Sequence, residues 1–426
     1  MPIHVRPRHA GSLLFIAAGC LVLAGCSDPL AGNTGPLNIE VKMPKNEAEL
    51  KARVDEVLEY TERRYMDTGV GRHAAWQIMH GVLAYPDTLL VVHKGEHVNC
   101  LEWLLNGGDL RGFDLQDTPF GIDTVLEGGS KMGQGHDDQW LCILSQAGLK
   151  WDQKFIYKDK LMAEPVEKTG TIAEMVRATQ WGAWEKVQDY DNGSARANPE
   201  IAELSWSIIG LTAFPEHVSF DEPWVLKIDA DRIPKEGLNE KEQAKEKEIA
   251  RERTLSMEDI VRVETKQAQE GLGGAACGGT HRLIGLAMAV KRYQAWKRSR
   301  GEDDKLSGAW QEAHGVVRTA IATVKEFQNA DGSFSASWLE RSSTNFEFND
   351  RISKSGHTLE FLAIALTDDE LTQPWVIKAV AHLCELFDRT QKLEIECGGL
   401  YHAAHGLVVY RERRWGKFVS ATVKGK

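Results

Sequence analysis

The chain lacks an excess of basic residues, a second long apolar segment and a recognisable set of paired cysteines. Lys and Arg number 51 against 62 Asp and Glu, and the net charge of −11 argues against a protein that grips nucleic acid phosphates. The 39 Gly and 13 Pro are too few for a collagen-like or low-complexity chain. With 426 residues, 42% of them hydrophobic, the chain can build one large core or two ordinary ones.

The cysteines predict a fold that stands on packing alone. Two of the seven fall in the N-terminal segment, and the remaining five are an odd number whose spacing matches no disulfide framework. These five are Cys100, Cys142, Cys277, Cys384 and Cys397.

The N-terminal segment predicts an extracytoplasmic address. A basic start with Arg6 and Arg8 precedes an apolar run over 13–23, which is too short to span a bilayer comfortably. The run ends in Leu23-Ala24-Gly25-Cys26, which resembles the bacterial lipobox, and this resemblance implies cleavage after residue 25 and a lipid on Cys26. The alternative is an uncleaved signal anchor. Cleavage removes two arginines and no acids, so the net charge falls from −11 to −13.

The lipobox implies that an acyl chain at Cys26 holds the protein on a membrane surface. Ser27 is not the Asp of the usual inner-membrane retention signal, so the outer membrane is favoured weakly if the host has two. Residues 26–44 are rich in Gly and Pro and predict a tether, and 45–418 predict a single domain followed by a tail over 419–426.

Internal repeats predict six helical hairpins. Gly135-His136 aligns with Gly356-His357, and the stretch from Cys277 to His281 aligns with that from Cys397 to His402. Each copy opens an apolar helix, and an amphipathic helix precedes it. The apolar helices are predicted to begin near Arg72, His136, Glu203, Thr280, His357 and Tyr401. The amphipathic helices are predicted over 46–65, 97–105, 171–181, 255–270, 308–328 and 371–388. Strand candidates occur only in 106–130.

The alternation of apolar and amphipathic helices predicts an all-α fold with an inner ring inside an outer ring. The segment 327–334, Phe-Gln-Asn-Ala-Asp-Gly-Ser-Phe, resembles the turn of the α/α-toroid superfamily, which contains terpene cyclases and protein prenyltransferase β-subunits. This resemblance implies an (α/α)6 toroid in which Gln328 caps a helix end and the aromatic residue packs on the next repeat. It does not imply one activity, because the toroid hosts unrelated chemistries. The charged stretch 228–254 is predicted to be a solvated insertion, or an arm that docks a partner.

Histidines recur at the predicted starts of the inner helices, where a ring would bring them to one funnel mouth. His136, His281, His357 and His402 lie at helix starts, and His80 and His405 about one turn further in. The positive end of the helix dipole disfavours imidazolium there, so these rings are candidates for bases or metal ligands. The alternative is that each histidine caps its helix or fills a polar throat.

Several further residues are candidates for chemistry at this mouth. Asp137-Asp138 resembles part of the acid motif of class II terpene cyclases, although Gly135 stands where the first Asp is expected. Cys277 with His281, and Cys397 with His402, could hold zinc, since thiolate and imidazole suit that metal. The zinc ligands of the prenyltransferases are absent from the segment 354–356, and packing cysteines are the alternative. Two long connections, 106–134 and 338–355, enter at the same mouth. The residues expected to bind substrate are His80, Trp206, Trp338, Asn349 and Asp350.

These features predict a lipid-anchored toroid whose histidine-lined funnel binds and modifies a glycan or another polar polymer. A His402–Tyr401 pair, helped by His281 or His357, would abstract a proton in a lyase, whereas Asp137, Asp138 and Glu360 would serve hydrolysis. Two alternatives stay open: an isoprenoid-handling enzyme with a lipid ligand, and a non-catalytic surface adaptor that docks through 228–254.

Overall fold

The computed structural model describes residues 39–69, 73–127, 135–159, 166–194, 204–229, 252–272 and 275–420. Over these ranges the chain is mainly helical, as predicted, with short strands between the helices of its first half. The α-helices of the described ranges are α1 (Glu47–Glu62), α2 (Ala75–Ala84), α3 (Cys100–Leu105), α4 (Gln139–Gln146), α5 (Ile172–Asp191), α6 (Ser205–Leu211), α7 (Met257–Glu270), α8 (Thr280–Ser299), α9 (Gly308–Glu326), α10 (Phe348–Ala365), α11 (Pro374–Thr390) and α12 (Cys397–Trp415).

The six even-numbered helices pack on one another in the order of the chain. Of these, α2, α4 and α6 are short, and α8, α10 and α12 are long. α2 contacts α4, α4 contacts α6, α6 contacts α8, α8 contacts α10, α10 contacts α12, and α12 contacts α2 again. Most residues of these helices are buried, and one continuous hydrophobic core runs from Ile39 to Tyr410. None of the helices in the described part of the chain combines the length and apolarity needed to cross a membrane.

The helix starts follow from local capping chemistry. Asn46 caps α1 by accepting a hydrogen bond from the backbone N–H of Glu49 at 2.9 Å. Ser256 and Asp259 cap α7 reciprocally, each side chain accepting from the other residue's backbone N–H at 3.1 Å. The carboxylate of Glu396 accepts from the backbone N–H groups of two glycines in the first turn of α12. Side-chain oxygens thus satisfy donors that a helix N-terminus leaves unpaired.

The predicted helix starts differ from the observed ones mainly at α10. α8 begins at Thr280 as predicted, and α12 begins four residues before the predicted Tyr401. α10 begins at Phe348, nine residues before His357, so the connection predicted over 338–355 is helical in its second half. His136 lies in a turn three residues before α4. The predicted starts near Arg72 and Glu203 lie outside the described residues.

The strands are more numerous than the sequence predicted. β4 (Phe113–Thr118) and β5 (Gly121–Leu126) form an antiparallel hairpin within the predicted range 106–130. The other strands were not predicted because they are short and lack a long apolar alternation. They are β1 (Met66–Asp67), β2 (Leu90–His93), β3 (Glu96–Asn99), β6 (Lys154–Asp159), β7 (Val166–Thr171), β8 (Trp224–Leu226) and β9 (Arg253–Leu255).

The pairing of these strands is local, so none of them forms an extended sheet. β2 lies between β1, which is parallel to it, and β3, which is antiparallel. β6 pairs with β7 and β8 with β9, both antiparallel. The β8–β9 pair closes the base of the charged insertion, whose residues 230–251 lie outside the described ranges.

The turn that resembles the toroid superfamily joins α9 to the helices that follow it. The Nε2 of Gln328 donates to the backbone oxygen of Trp375 at the start of α11, at 3.0 Å. Asp331 accepts from Ser333 and pairs with the buried Arg351 of α10 at 2.5 Å. Phe334 is buried at the end of the turn. Gln328 therefore ties the end of α9 to the start of α11.

Candidate functional site

Four histidines from four different helices meet in one buried group. The ring of His402 on α12 lies 4.1 Å from that of His357 on α10, 4.6 Å from that of His80 on α2 and 4.9 Å from that of His281 on α8, measured between centroids. Each side chain is between 2% and 5% exposed. We call these four residues the histidine cluster.

The cluster differs from the predicted funnel mouth in position. The sequence placed His281, His357 and His402 at helix N-termini, but only His281 lies in a first turn, as the second residue of α8. His357 is the tenth residue of α10 and His402 the sixth of α12. The helix dipole therefore does not explain their neutrality. Burial does: it lowers the pKa of all four, that of His402 to about 3.

A buried carboxylate orients two of the imidazoles. Glu360 on α10 accepts a hydrogen bond from Nδ1 of His402 at 2.7 Å and from Nδ1 of His405 at 2.6 Å. Burial opposes its ionisation, but His402 and His405 hold the pKa of Glu360 well below its usual range. An ionised carboxylate accepts and cannot donate. Both Nδ1 atoms therefore carry protons, and Nε2 of the neutral His402 carries a lone pair.

The protonation of His281 follows from that of His402. Their Nε2 atoms are 3.3 Å apart, so one of them donates to the other. His402 has its single proton on Nδ1, so the donor is Nε2–H of His281. This assignment leaves a lone pair on Nδ1 of His281, which is buried and has no hydrogen-bond partner among the residues that the structure describes.

His357 presents a second buried lone pair. Its Nδ1–H donates to the backbone oxygen of Ser353, one turn earlier in α10, at 2.7 Å. Its Nε2 is buried, and the described part of the chain offers it no hydrogen-bond partner. His80 is anchored in the same way on the backbone oxygen of Trp76, but its Nε2 lies 3.4 Å from Nε2 of Gln139, a donor. His281 and His357 thus differ from His80 in having a nitrogen without a partner.

Cys277 completes a group of three residues that could hold a metal ion. One potential ligand atom from each of Cys277, His281 and His357 lies within 4.8 Å of the others. Cys277 has a φ of +49°, which is unusual for a residue with a Cβ, and two glycines with positive φ follow it before α8 begins. The donor set fits a metal, because a thiolate and two neutral imidazole lone pairs are ligands that zinc prefers.

The predicted metal ligands are retained in part. Cys277 and His281 belong to this group, and His357, predicted as catalytic, takes the place expected for Cys397 and His402. Burial and the negative charge of Glu396 raise the pKa of Cys397 to about 12, which opposes formation of a thiolate. The remaining lone pair of His402 accepts from His281.

Aromatic residues and a cavity flank the cluster. The ring of Trp206 on α6 lies 4.6 Å from that of His281 and 5.2 Å from that of His136. Trp338, which also has a positive φ, lies edge-on to His357 at 5.8 Å. A cavity of about 220 Å³ is lined by Ala268, Leu272, Gly278, Trp338, Leu339 and Glu340. It therefore lies directly beside Cys277.

The Asp137–Asp138 pair takes part in packing between helices. Asp138 accepts from Nζ of Lys186 on α5 at 2.7 Å and from the hydroxyl of Ser207 on α6 at 2.5 Å. Asp137 is 3.4 Å from the same lysine. The lysine therefore links both carboxylates to α5, and Ser207 links Asp138 to α6. The cyclase-like role predicted for this pair is not favoured by these contacts.

Three other residues predicted for the site form hydrogen bonds or ion pairs with residues outside the histidine cluster. The hydroxyl of Tyr401 donates to the backbone oxygen of Arg64 at 2.9 Å, and burial raises its pKa, so it is not placed as a base beside His402. Asn349 accepts from the backbone N–H of Glu396 at 3.0 Å. Asp350 pairs with Lys354 at 2.8 Å. Cys26, the predicted lipid site, lies outside the described residues.

The sequence missed the groups that anchor the imidazoles. Trp76 and Ser353 act through backbone oxygens that precede His80 and His357 by four residues, and Gln139 acts on His80 through its side chain. The spacing of four was a usable signal, because it places a helix carbonyl beside the imidazole.

Comparison with protein-family models, curated proteins and solved structures found no match for this chain. Any function must therefore be argued from the site itself.

Proposed function

We propose that this protein is a lipid-anchored, extracytoplasmic zinc hydrolase with an (α/α)6 toroid fold, acting on a glycan or another polar polymer. One observation carries the proposal. Cys277, His281 and His357 bring potential ligand atoms within 4.8 Å of one another, and Nδ1 of His281 and Nε2 of His357 are buried with no hydrogen-bond partner among the described residues. Leaving a buried polar atom unpaired costs about 1–3 kcal/mol. A bound cation removes this cost.

The toroid is supported by the packing of the six inner helices. Their contacts form a series that returns from α12 to α2, and the cluster draws its histidines from four of them. α1, α5, α7, α9 and α11 pack against these helices as an outer layer would. A ring with its chemistry at the centre accounts for both observations.

Hydrolysis is favoured over elimination by the state of the predicted bases. A lyase needs a base near neutral pKa, but the pKa of His402 is about 3 and Tyr401 faces Arg64. Zinc held by three protein ligands keeps one open position, at which it activates water or polarises a substrate oxygen. Glu360 would keep the proton of His402 on Nδ1, and the burial of the cluster would exclude bulk water.

The cavity beside Gly278 supports a polar polymer as the substrate. Trp338 offers an aromatic surface and Glu340 a hydrogen-bond acceptor, a combination that suits a sugar ring. Among the described residues, the lining holds one acid and no base, which suits an uncharged chain better than a polyanion.

Replacing Cys277 by serine is expected to abolish zinc binding, because a hydroxyl is a much poorer zinc ligand than a thiolate. The purified full-length protein, in detergent if it is membrane-associated, should contain about one equivalent of zinc by elemental analysis. Cys397→Ser is the matched control and should keep its zinc. A metal-free wild type, or equal zinc loss in both variants, would contradict the proposal.

A second candidate function uses the same residues without a metal. Cys277 has a strained backbone and lies near two imidazoles, which is also the arrangement of a cysteine nucleophile. Protein that contains no metal and reacts at Cys277 with iodoacetamide faster than at Cys397 would favour this candidate over the zinc enzyme.

The lipid anchor is testable on its own. Replacing residues 1–26 by a cleavable secretory signal that leaves no cysteine should move the protein from the membrane fraction to the soluble fraction, since the acyl chain supplies the attachment. Mass spectrometry of the N-terminal peptide should find diacylglycerol on Cys26 of the wild type. Continued membrane attachment of the variant would rule out the lipobox.

A further inference from the structure

We propose that Glu360 is a positioning residue that fixes the tautomer of His281 through His402, and so determines which His281 nitrogen can bind a metal. The inference rests on the proposed zinc site and adds to it a residue that touches neither metal nor substrate.

Each of the two carboxylate oxygens of Glu360 accepts a hydrogen bond from an imidazole. One accepts from Nδ1 of His402 and the other from Nδ1 of His405, at 2.7 and 2.6 Å. The carboxylate is buried, so water does not compete for these bonds. Both imidazoles are therefore locked with the proton on Nδ1.

The second step passes from His402 to His281. Because Nε2 of His402 holds a lone pair, the 3.3 Å contact requires the proton of His281 on Nε2. The metal-binding lone pair of His281 must then lie on Nδ1, the nitrogen for which the described ranges hold no hydrogen-bond partner. Reversing the first proton would reverse the second, since two N–H groups cannot face each other at this distance.

Close packing holds Glu360 at the correct distance. A Cβ on Gly406 of α12 would lie 2.8 Å from the backbone nitrogen of Glu360 and 3.0 Å from its Cα. Only glycine permits this approach, which brings His402 and His405 up to the carboxylate. His357 is independent of this chain, because its Nδ1–H donates to the backbone of Ser353.

The first measurement uses unmodified, metal-free protein. Nitrogen-15 NMR of histidine-labelled protein should find the proton on Nε2 of His281 and on Nδ1 of His402, His405 and His357. A proton on Nδ1 of His281 would overturn the inference without any variant having to fold.

The second measurement removes the acceptor with Glu360→Met. We expect zinc affinity, measured by competition with a chelator, to fall 10- to 100-fold, as for other groups that orient a ligating histidine. His281 should lose its single tautomer while His357 keeps its own. Glu62→Met is the matched control, since Glu62 is a buried carboxylate that bonds Ser420 instead, and it should change neither readout. Unchanged affinity and an unchanged His281 tautomer in Glu360→Met would overturn the inference.

The two measurements separate this inference from the proposed function. The expected tautomers in a wild type that binds no zinc would contradict the zinc enzyme and leave the role of Glu360 in orienting His281 standing. Bound zinc with the opposite His281 tautomer would contradict only the role of Glu360.

Discussion

Replacing Gly356 by alanine is expected to destabilise the protein by about 3 kcal/mol, because the added methyl group would push apart the two helices that carry Glu360 and His402. A Cβ at Gly356 would lie 2.7 Å from Cα and 2.9 Å from the nitrogen of Ala403. These are backbone atoms, so no side-chain rotation relieves the contact and α10 must move away from α12.

The same close approach recurs along this helix pair. A Cβ at Gly399 would lie 3.0 Å from Cα of Ser353, and one at Gly406 would lie 2.8 Å from the nitrogen of Glu360. Three glycines thus let the two backbones meet over several turns. The histidine cluster depends on this contact, since it sets the distance from Glu360 to His402.

Gly315→Ala is the matched control and should raise the free energy of unfolding, whereas Gly356→Ala should lower it. Gly315 is an exposed residue inside α9, and its Cβ would meet nothing within 4 Å. Alanine is a better helix former than glycine by about 1 kcal/mol, so this variant should be more stable than the wild type. Urea unfolding measures both variants. Destabilisation of less than about 1 kcal/mol in Gly356→Ala would show that the two helices are not held this closely.

Glu264→Ala is expected to lower the free energy of unfolding by about 3–5 kcal/mol, because it leaves the cation of Arg282 buried and unpaired. Glu264 on α7 is fully buried and lies 3.4 Å from Nε of Arg282 on α8. It also accepts from the hydroxyl of Ser205 on α6 at 2.6 Å. The pair therefore ties three helices together next to His281 and Trp206.

Removing the charges of both Glu264 and Arg282 should destabilise the protein less than removing the charge of Glu264 alone. The double variant Glu264→Leu with Arg282→Met fills similar volume with apolar groups and leaves no uncompensated ion. We expect it to be more stable than Glu264→Ala in urea unfolding. Equal or greater loss in the double variant would mean that the pair itself, rather than the cost of an unpaired charge, holds these helices.

Some amphipathic helices could be predicted well from the sequence, because one polar face and one apolar face indicate a helix. The predicted 255–270 and 308–328 compare with Met257–Glu270 and Gly308–Glu326. The predicted 171–181 is too short, since α5 covers Ile172–Asp191, and the predicted 97–105 includes residues of β3 (Glu96–Asn99) before α3 begins.

The inner helix α10 was predicted too short for an identifiable reason. Its first two turns carry Asn349, Asp350 and Lys354, whose polarity is typical of a loop. These turns are helical because their polar side chains have partners elsewhere in the fold. Asn349 accepts a hydrogen bond from the backbone of Glu396, and Arg351 forms an ion pair with Asp331. Contacts between distant residues are not visible in a local pattern.

The candidate site was predictable as a set of residues but not as a network. Repeats drew attention to Cys277, His281, His357 and His402, and the structure places these residues together. Their division into ligands and supports depends on which nitrogen faces which partner. Contacts of about 3 Å between side chains on different helices determine these pairings, and residue spacing or composition does not predict such contacts.

X-ray absorption at the zinc edge of the purified protein tests the zinc centre most directly. We predict one sulfur at about 2.3 Å and two imidazole nitrogens at about 2.0–2.1 Å, with one oxygen in the remaining position. Loss of the sulfur signal in Cys277→Ser, but not in Cys397→Ser, would assign it to Cys277. A protein without zinc, or a zinc shell that contains no sulfur, would contradict the account.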